Sequence, residues 1–209
     1  MSRRLLQFSL ASILIVMTVL SVWLAYRANT KTSRAIANIK NSGGRVEQTE
    51  DSDPDKPVIE KLSFQGNSET TNRDILPIRD LKNVNRIDLD YTDVDDISPI
   101  RNQINLRWLD LEGTKISSED LVNLERLDKL IILVLTDTKI SNEGLEYIAD
   151  MTQLLELRLN NTEISDECLV HFKKLKRLRE INLRGTKVTR AGIRRLQLDL
   201  PNCEIKHDF

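Results

Sequence analysis

Few residues in this chain are of types that do chemistry, so their spacing decides what they can do. The histidines are His171 and His207 and the cysteines Cys168 and Cys203. A histidine serves as a general base only when it is positioned beside a reacting group. His171 stands next to Phe172 in an apolar stripe of helical spacing, and His207 lies in the terminal tail; both read as solvated side chains. Cys168 and Cys203 lack the clustered short-range pairs of a zinc site or a disulfide framework, and read as small buried residues. Carboxylates come in close pairs, Asp88 with Asp90 and Asp110 with Glu112, but acid–base work also needs a pocket that raises one pKa. The chain contains no glycine-rich phosphate loop, no G-x-S-x-G and no H-E-x-x-H. The expectation is no enzyme, no cofactor, no metal site and no small-molecule substrate.

Charge gives the next constraint. The formal net charge is -1, which removes the basic balance of a general nucleic-acid binder, so no nucleic-acid partner is expected. That figure sums unlike segments: residues 1–46 carry seven Lys/Arg and no acid, and residues 47–99 carry six bases against fourteen acids. Aromatic residues make up 4%, so the core must be built from Leu, Ile and Val, which favours a thin, layered fold.

What positions these side chains is a repeat. The pattern L-x-x-L-x-L-x-x-T-x-I recurs from Ile59, Val84, Leu106, Leu130, Leu154 and Leu178, with a truncated copy at Leu200; the intervals are 25, 22, 24, 24, 24 and 22 residues. Segments such as Leu109-Asp110-Leu111 alternate with period two and predict short strands with one buried face. Later segments, such as Leu121, Leu124 and Leu127, recur every three or four residues and predict helices. Ser117, Ser141, Ser165 and Thr189 precede those helices as N-caps, with Glu119, Glu143 and Glu167 in the first turns. No copy can bury its apolar residues alone, whereas stacked copies can.

In register and period the chain resembles the leucine-rich repeat family over residues 58–206. That resemblance implies an α/β solenoid of short parallel concave strands and convex helices. The family's ladder asparagine survives at Asn67 and is replaced by Thr92, Thr114, Thr138, Thr162 and Thr186, whose hydroxyls can still bond the turn backbone. "DILPIRD" and "DISPIRN" resemble shorter, internalin-like repeats, and the copies from Leu106 onward resemble the 24-residue helical kind. "LPNCEI" reads as a capping strand with Cys203 and Ile205 inward.

Strand alternation places every second side chain on the concave side. Trp108, Ile132 and Val134 are apolar there, with Tyr91 nearby and Asp88, Asp90, Asp110 and Glu112 forming an acidic band. An aromatic anchor flanked by charge is how interface hot spots are built, so these eight residues are the expected binding patch for a protein partner. The competing expectation is a structural envelope scaffold with no dedicated ligand, in which Trp108 merely covers a neighbouring repeat. The run "HFKKLKRLRE" at 171–180 reads as a solvated convex face.

Ahead of the repeats, residues 1–7 form a tail and residues 8–26, "FSLASILIVMTVLSVWLAY", contain no charge. As a helix this run reaches about 28 Å, close to the ~30 Å hydrocarbon core, and a single-pass transmembrane helix is expected. A cleaved signal peptide is the alternative, disfavoured by Trp23 and Tyr26 at the third-last positions before the available cuts. Residues 27–57 read as a linker with a short helix near 33–42 capped by Thr32 or Ser33, and Gly44–Glu47 as the start of a strand. Bases nearly balance across the span, but a short N-terminal tail usually stays inside, placing domain 58–209 outside the cytoplasm. This layout also resembles that of planctomycete membrane-anchored leucine-rich repeat proteins, which implies a bacterial host.

Overall fold

The computed structural model describes residues 10–49 and 58–209, with residues 10–15 and 23–29 as backbone alone. Eight strands form one sheet in chain order: β1 (Arg45–Gln48), β2 (Ile59–Ser63), β3 (Arg86–Asp88), β4 (Trp108–Asp110), β5 (Ile132–Val134), β6 (Glu156–Arg158), β7 (Glu180–Asn182) and β8 (Glu204–Lys206). β1 runs antiparallel to β2, and every later pairing is parallel and joins like positions of successive copies. Leu109, Leu133, Leu157 and Ile181 stack through the middle of the core with no exposed area. Leu111, Leu135 and Leu159, two residues on, form a second buried row.

Each strand ends in the same corner. At that corner one residue per copy takes a left-handed conformation: Gly66, Tyr91, Gly113, Asp137, Asn161 and Gly185, with Asn83 a further left-handed residue just before the second copy. Three residues after the second buried strand residue or at the equivalent place, a threonine hydroxyl donates to the carbonyl of that residue. The bonds are Thr92 to Leu89, Thr114 to Leu111, Thr138 to Leu135, Thr162 to Leu159 and Thr186 to Leu183, all 2.6–2.7 Å. The threonines close their own turns, as the sequence suggested, and do not bond from copy to copy.

On the convex side the expected helices are mostly 3-10 turns: Leu76–Asp80, Ser98–Ile100, Ser118–Leu124, Asn142–Ile148 and Asp166–Cys168. α-Helix occurs in two single turns, α2 (Asn72–Ile75) and α3 (Leu169–Phe172), and at length only in α4 (Arg190–Asp199). The reason is spacing: strands repeat every ~4.8 Å, while an α-helix with side chains is about 10 Å wide. Successive turns are therefore crowded, and a Cβ at Gly144 would meet the Ser118 carbonyl oxygen at 2.6 Å. α4 has only a truncated copy after it and is free to widen. All four expected residues stand at the N-cap position, but the bonds form at two: the Ser117 N–H donates to Asp120 at 2.8 Å, and the Thr189 hydroxyl accepts from the Gly192 N–H at 3.1 Å, whereas the Ser141 and Ser165 side chains make no cap bond. Cys168 and Cys203 are free and buried, and burial pushes their thiols up to about 12 and about 11, so neither is a nucleophile near neutral pH.

The N-terminal region departs from expectation. One helix, α1 (Leu10–Asn41), runs through the predicted linker without a break at Thr32 or Ser33, because no Gly or Pro interrupts it. It stops at Gly43, which is left-handed, with the Gly44 N–H donating to the Ile39 carbonyl. Gly44 has no room for a side chain, since a Cβ there would meet Ile39 and Phe64 within 2.8 Å. Ala35 and Ile39 are buried in the same core as the repeats. The end of α1 and β1 therefore cap the solenoid and are not a spacer before residue 58. Among the described residues no helix is long and apolar enough to cross a membrane. The expected span at 8–26 falls partly outside them: Phe8 and Ser9 are undescribed, and residues 10–15 and 23–26 are described as helical backbone alone.

Two stability predictions follow from this packing. Ile39→Ala should lower the unfolding free energy by about 2–5 kcal/mol in urea titrations, where a detached linker helix would give no change. Thr138→Val, which leaves the Leu135 carbonyl without its donor, should cost about 1–3 kcal/mol in the same measurement.

Candidate partner-binding face

The concave surface is three rows of side chains fixed by strand register. The first contains Arg86, Trp108, Ile132 and Glu156; the second Asp88, Asp110, Val134 and Arg158. The third follows the strands and includes Asp90, Glu112 and Thr136.

Burial redraws the expected patch. Val134 has no exposed area and Asp88 only 2%. Val134 is shut in between Asp110 on β4 and Arg158 on β6, with Ile132 beside it on β5. Asp90 and Thr136 are buried as well, Thr136 with its hydroxyl donating to Asn160 Oδ1 at 2.8 Å. Val134, Asp88 and Asp90 thus belong to the floor of the face and cannot offer side chains to a partner. Trp108, Asp110, Glu112 and Ile132 stay partly accessible, and Tyr91 is exposed.

Asp88 keeps its charge company locally, with Lys61 Nζ at 2.9 Å and Arg86 Nε at 2.8 Å. The Arg86 guanidinium also lies over the Trp108 ring, 3.8 Å from its centroid, a cation–π contact that fixes the indole against the sheet. Lys61 and Arg86 are the residues that reading by type alone left out. They share a row, two strands and one strand before Trp108 respectively, and strand register was the signal that would have found them. The Trp108 Nε1 is buried and has no hydrogen-bond partner among the described residues.

The remaining acids have no cation. Among the described residues, no ion pair involves Asp90, Asp110 or Glu112. Towards β8 the face neutralises itself, with Arg158 on Glu156 at 2.5 Å and Lys206 on Glu180 at 2.7 Å. Burial pushes the Asp110 carboxyl up to about 6, with neighbouring Asp90, Asp88 and Glu112 adding to the rise and the Glu112 N–H opposing it. Asp90 is raised for the same reasons, burial first and then Asp88 and Glu112.

Tyr91 closes the rim. It holds the left-handed corner with φ 54°, a conformation costly for a bulky side chain. Its ring lies where a Gly113 Cβ would be, 2.6 Å from that position, and its hydroxyl donates to Glu112 at 2.6 Å. That bond to Glu112, then burial, pushes the phenol up to about 12. Asp137 and Asn161 hold the same left-handed corner with short polar side chains that tolerate it, so Tyr91 is the one bulky residue among the six.

Elsewhere the chemistry is spent on structure. On the 171–180 run, Lys174 pairs with Asp150 at 2.6 Å and Arg177 bonds Gln153, in keeping with a solvated convex face. No group of acidic, His or Cys side chains among the described residues could hold a metal ion.

The sheet, the repeating corners and the convex turns define a leucine-rich repeat solenoid. Solved structures of the same architecture include an internalin, inlF, of Listeria monocytogenes, at 25% identity and TM-score 0.59; the match covers 68% of this chain and 38% of that one. The leucine-rich repeat ectodomain of the receptor kinase SOBIR1 from Arabidopsis thaliana shares the fold, at 16% identity and TM-score 0.54, over 76% of this chain and 96% of that one. This chain thus spans 38% of the internalin's length. No family model matches it, and no curated protein does.

The raised Asp110 carboxyl has a definite sign. The unfolded group titrates near ~4 and the folded one at about 6, so between those values the native state holds the extra proton. Stability should fall as pH rises through that window and stay lower above it. Asp110→Asn should reduce that pH dependence, leaving the share of Asp90, and stabilise the protein at neutral pH by roughly 1 kcal/mol after solvent screening, read as thermal midpoints from acid to neutral pH.

Proposed function

We propose that this chain is a non-catalytic, membrane-anchored leucine-rich repeat protein that recognises a protein partner with the concave face of β3 to β5. The observation that carries this reading is the Arg86–Trp108 stack set beside Asp110 and Glu112, two accessible acids with no ion-pair partner among the described residues. A desolvated aromatic next to unmatched charge gives both an anchor and a selector. The partner that complements it presents a Lys or Arg beside an apolar side chain, the cation meeting Asp110 and Glu112 and the apolar group resting on Trp108 and Ile132. Such a cation favours ionised Asp110, so binding tightens as pH rises through about 6.

Anchoring rests on the uncharged run at 8–26 and on the helical backbone that continues from Leu10 to Asn41. An extracytoplasmic domain is the orientation favoured by the short N-terminal tail.

Photo-crosslinking from position Ile132 in the full chain, followed by affinity measurement on the recovered partner, tests the site. The double variant Trp108→Ala, Asp110→Lys should lose binding at least tenfold, the effect of a hot-spot residue, while its circular dichroism and cooperative unfolding show that the solenoid still folds. Unchanged affinity in that variant refutes the site. Protease added to intact cells should remove residues 58–209; protection until the membrane is opened refutes the orientation.

A further inference from the structure

A second surface lies at the other end of the domain. Between the last third of α1 and the Leu76–Asp80 turn opens a cleft of about 420 Å³, whose walls carry Lys31, Arg34, Arg73 and Arg79 against a single carboxylate, Asp80. All four cations are exposed, and none takes part in an ion pair among the described residues. Four like charges around one cleft repel one another unless an anion sits among them. Three of the four are arginines, whose planar forks match the oxygens of a phosphate. Asn38 adds an amide on the same wall, and Leu76 and Pro77 give the opening an apolar edge.

Position narrows the source of that phosphate. The cleft's helix is the one whose preceding turns expose Val16, Met17, Val19 and Val22, each above 60%. Lipid headgroups occupy a layer about 5–8 Å deep outside the hydrocarbon. On a helix rising 1.5 Å per residue, Lys31 stands roughly 7.5 Å and Arg34 roughly 12 Å beyond Tyr26, so Lys31 lies within the headgroup layer and Arg34 just outside it, within reach of its long side-chain stem. We propose that this cleft binds the phosphate of an anionic phospholipid headgroup, docking the first repeat against the membrane surface. The proposal rests on the membrane-anchored reading given above. It joins two elements remote in sequence, the end of α1 and the first convex turn, through one shared headgroup.

The full chain in non-ionic detergent, titrated with short-chain phosphatidylglycerol, short-chain phosphatidylcholine and inorganic phosphate, provides the test, with bound ligand read by native mass spectrometry. Phosphatidylglycerol should bind about tenfold tighter than phosphatidylcholine. The triple variant Arg34→Gln, Arg73→Gln, Arg79→Gln should abolish that preference without shifting the unfolding midpoint. Asp80→Asn, which removes the one carboxylate lining the cleft, should tighten phosphatidylglycerol binding severalfold. Inorganic phosphate that binds as tightly as phosphatidylglycerol and displaces it overturns the lipid assignment. Equal affinity for both lipids, or a triple variant that keeps the preference, overturns the site. Flotation with vesicles of phosphatidylcholine alone separates the two readings: wild type and triple variant should both float. If neither floats, the anchor itself is refuted, whereas flotation without headgroup preference refutes only this inference.

Discussion

The structure depends on one recurring corner. A strand of three residues cannot hold itself together, and its last buried carbonyl has lost water without gaining a ladder partner on the inner side. In five copies a threonine hydroxyl supplies the missing donor at 2.6–2.7 Å, and a left-handed residue turns the chain out of the sheet. Satisfying a buried carbonyl is worth more than the bond's net strength, because leaving it bare carries the full desolvation cost. With each corner closed the same way, like positions fall into register, and the core rows and the concave rows follow from that register.

Much of this was legible in the sequence, for physical reasons. A period of 22 to 25 residues cannot be kept by chance across apolar positions, and alternation in segments such as Leu109-Asp110-Leu111 assigns faces without ambiguity. The threonine closures were legible too, since the donor and its turn lie three residues apart. Alternation names a face, however, and says nothing of what lies on either side. Val134 and Asp88 lie on the concave side, yet Val134 is flanked by Asp110 and Arg158, each 24 residues away, and Asp88 is met by Lys61 and Arg86. The 3-10 winding was hidden for a related reason, since it answers the pitch of the stack and not the local propensity of "SEDLVNL" or "NEGLEYI". Ile39 was read as part of a linker because its partner, Phe64, follows an intervening acidic segment.

The electrostatics divide the molecule. Along the sheet, charges towards β8 are matched within the protein, while those near β4 are unmatched and acidic. At the α1 end the unmatched charges are basic. A net charge of -1 therefore conceals two separated poles of opposite sign, each lying where the fold itself supplies no counter-charge. Poles of this kind orient a molecule in an external field before any contact is made.

The unbroken passage of α1 into the cap has a mechanical meaning. With 32 residues and no Gly or Pro, it is a rod of about 48 Å, and its final turn is locked into the core by Ile39 and by the Gly43–Gly44 corner. Whatever grips the far end of that rod also fixes the attitude of the concave face, as a post fixes a signboard. A flexible tether of the same length lets a domain sample all orientations and lose most encounters to poor alignment. A post removes that search for partners held in the same plane, and the gain is in the rate at which they meet.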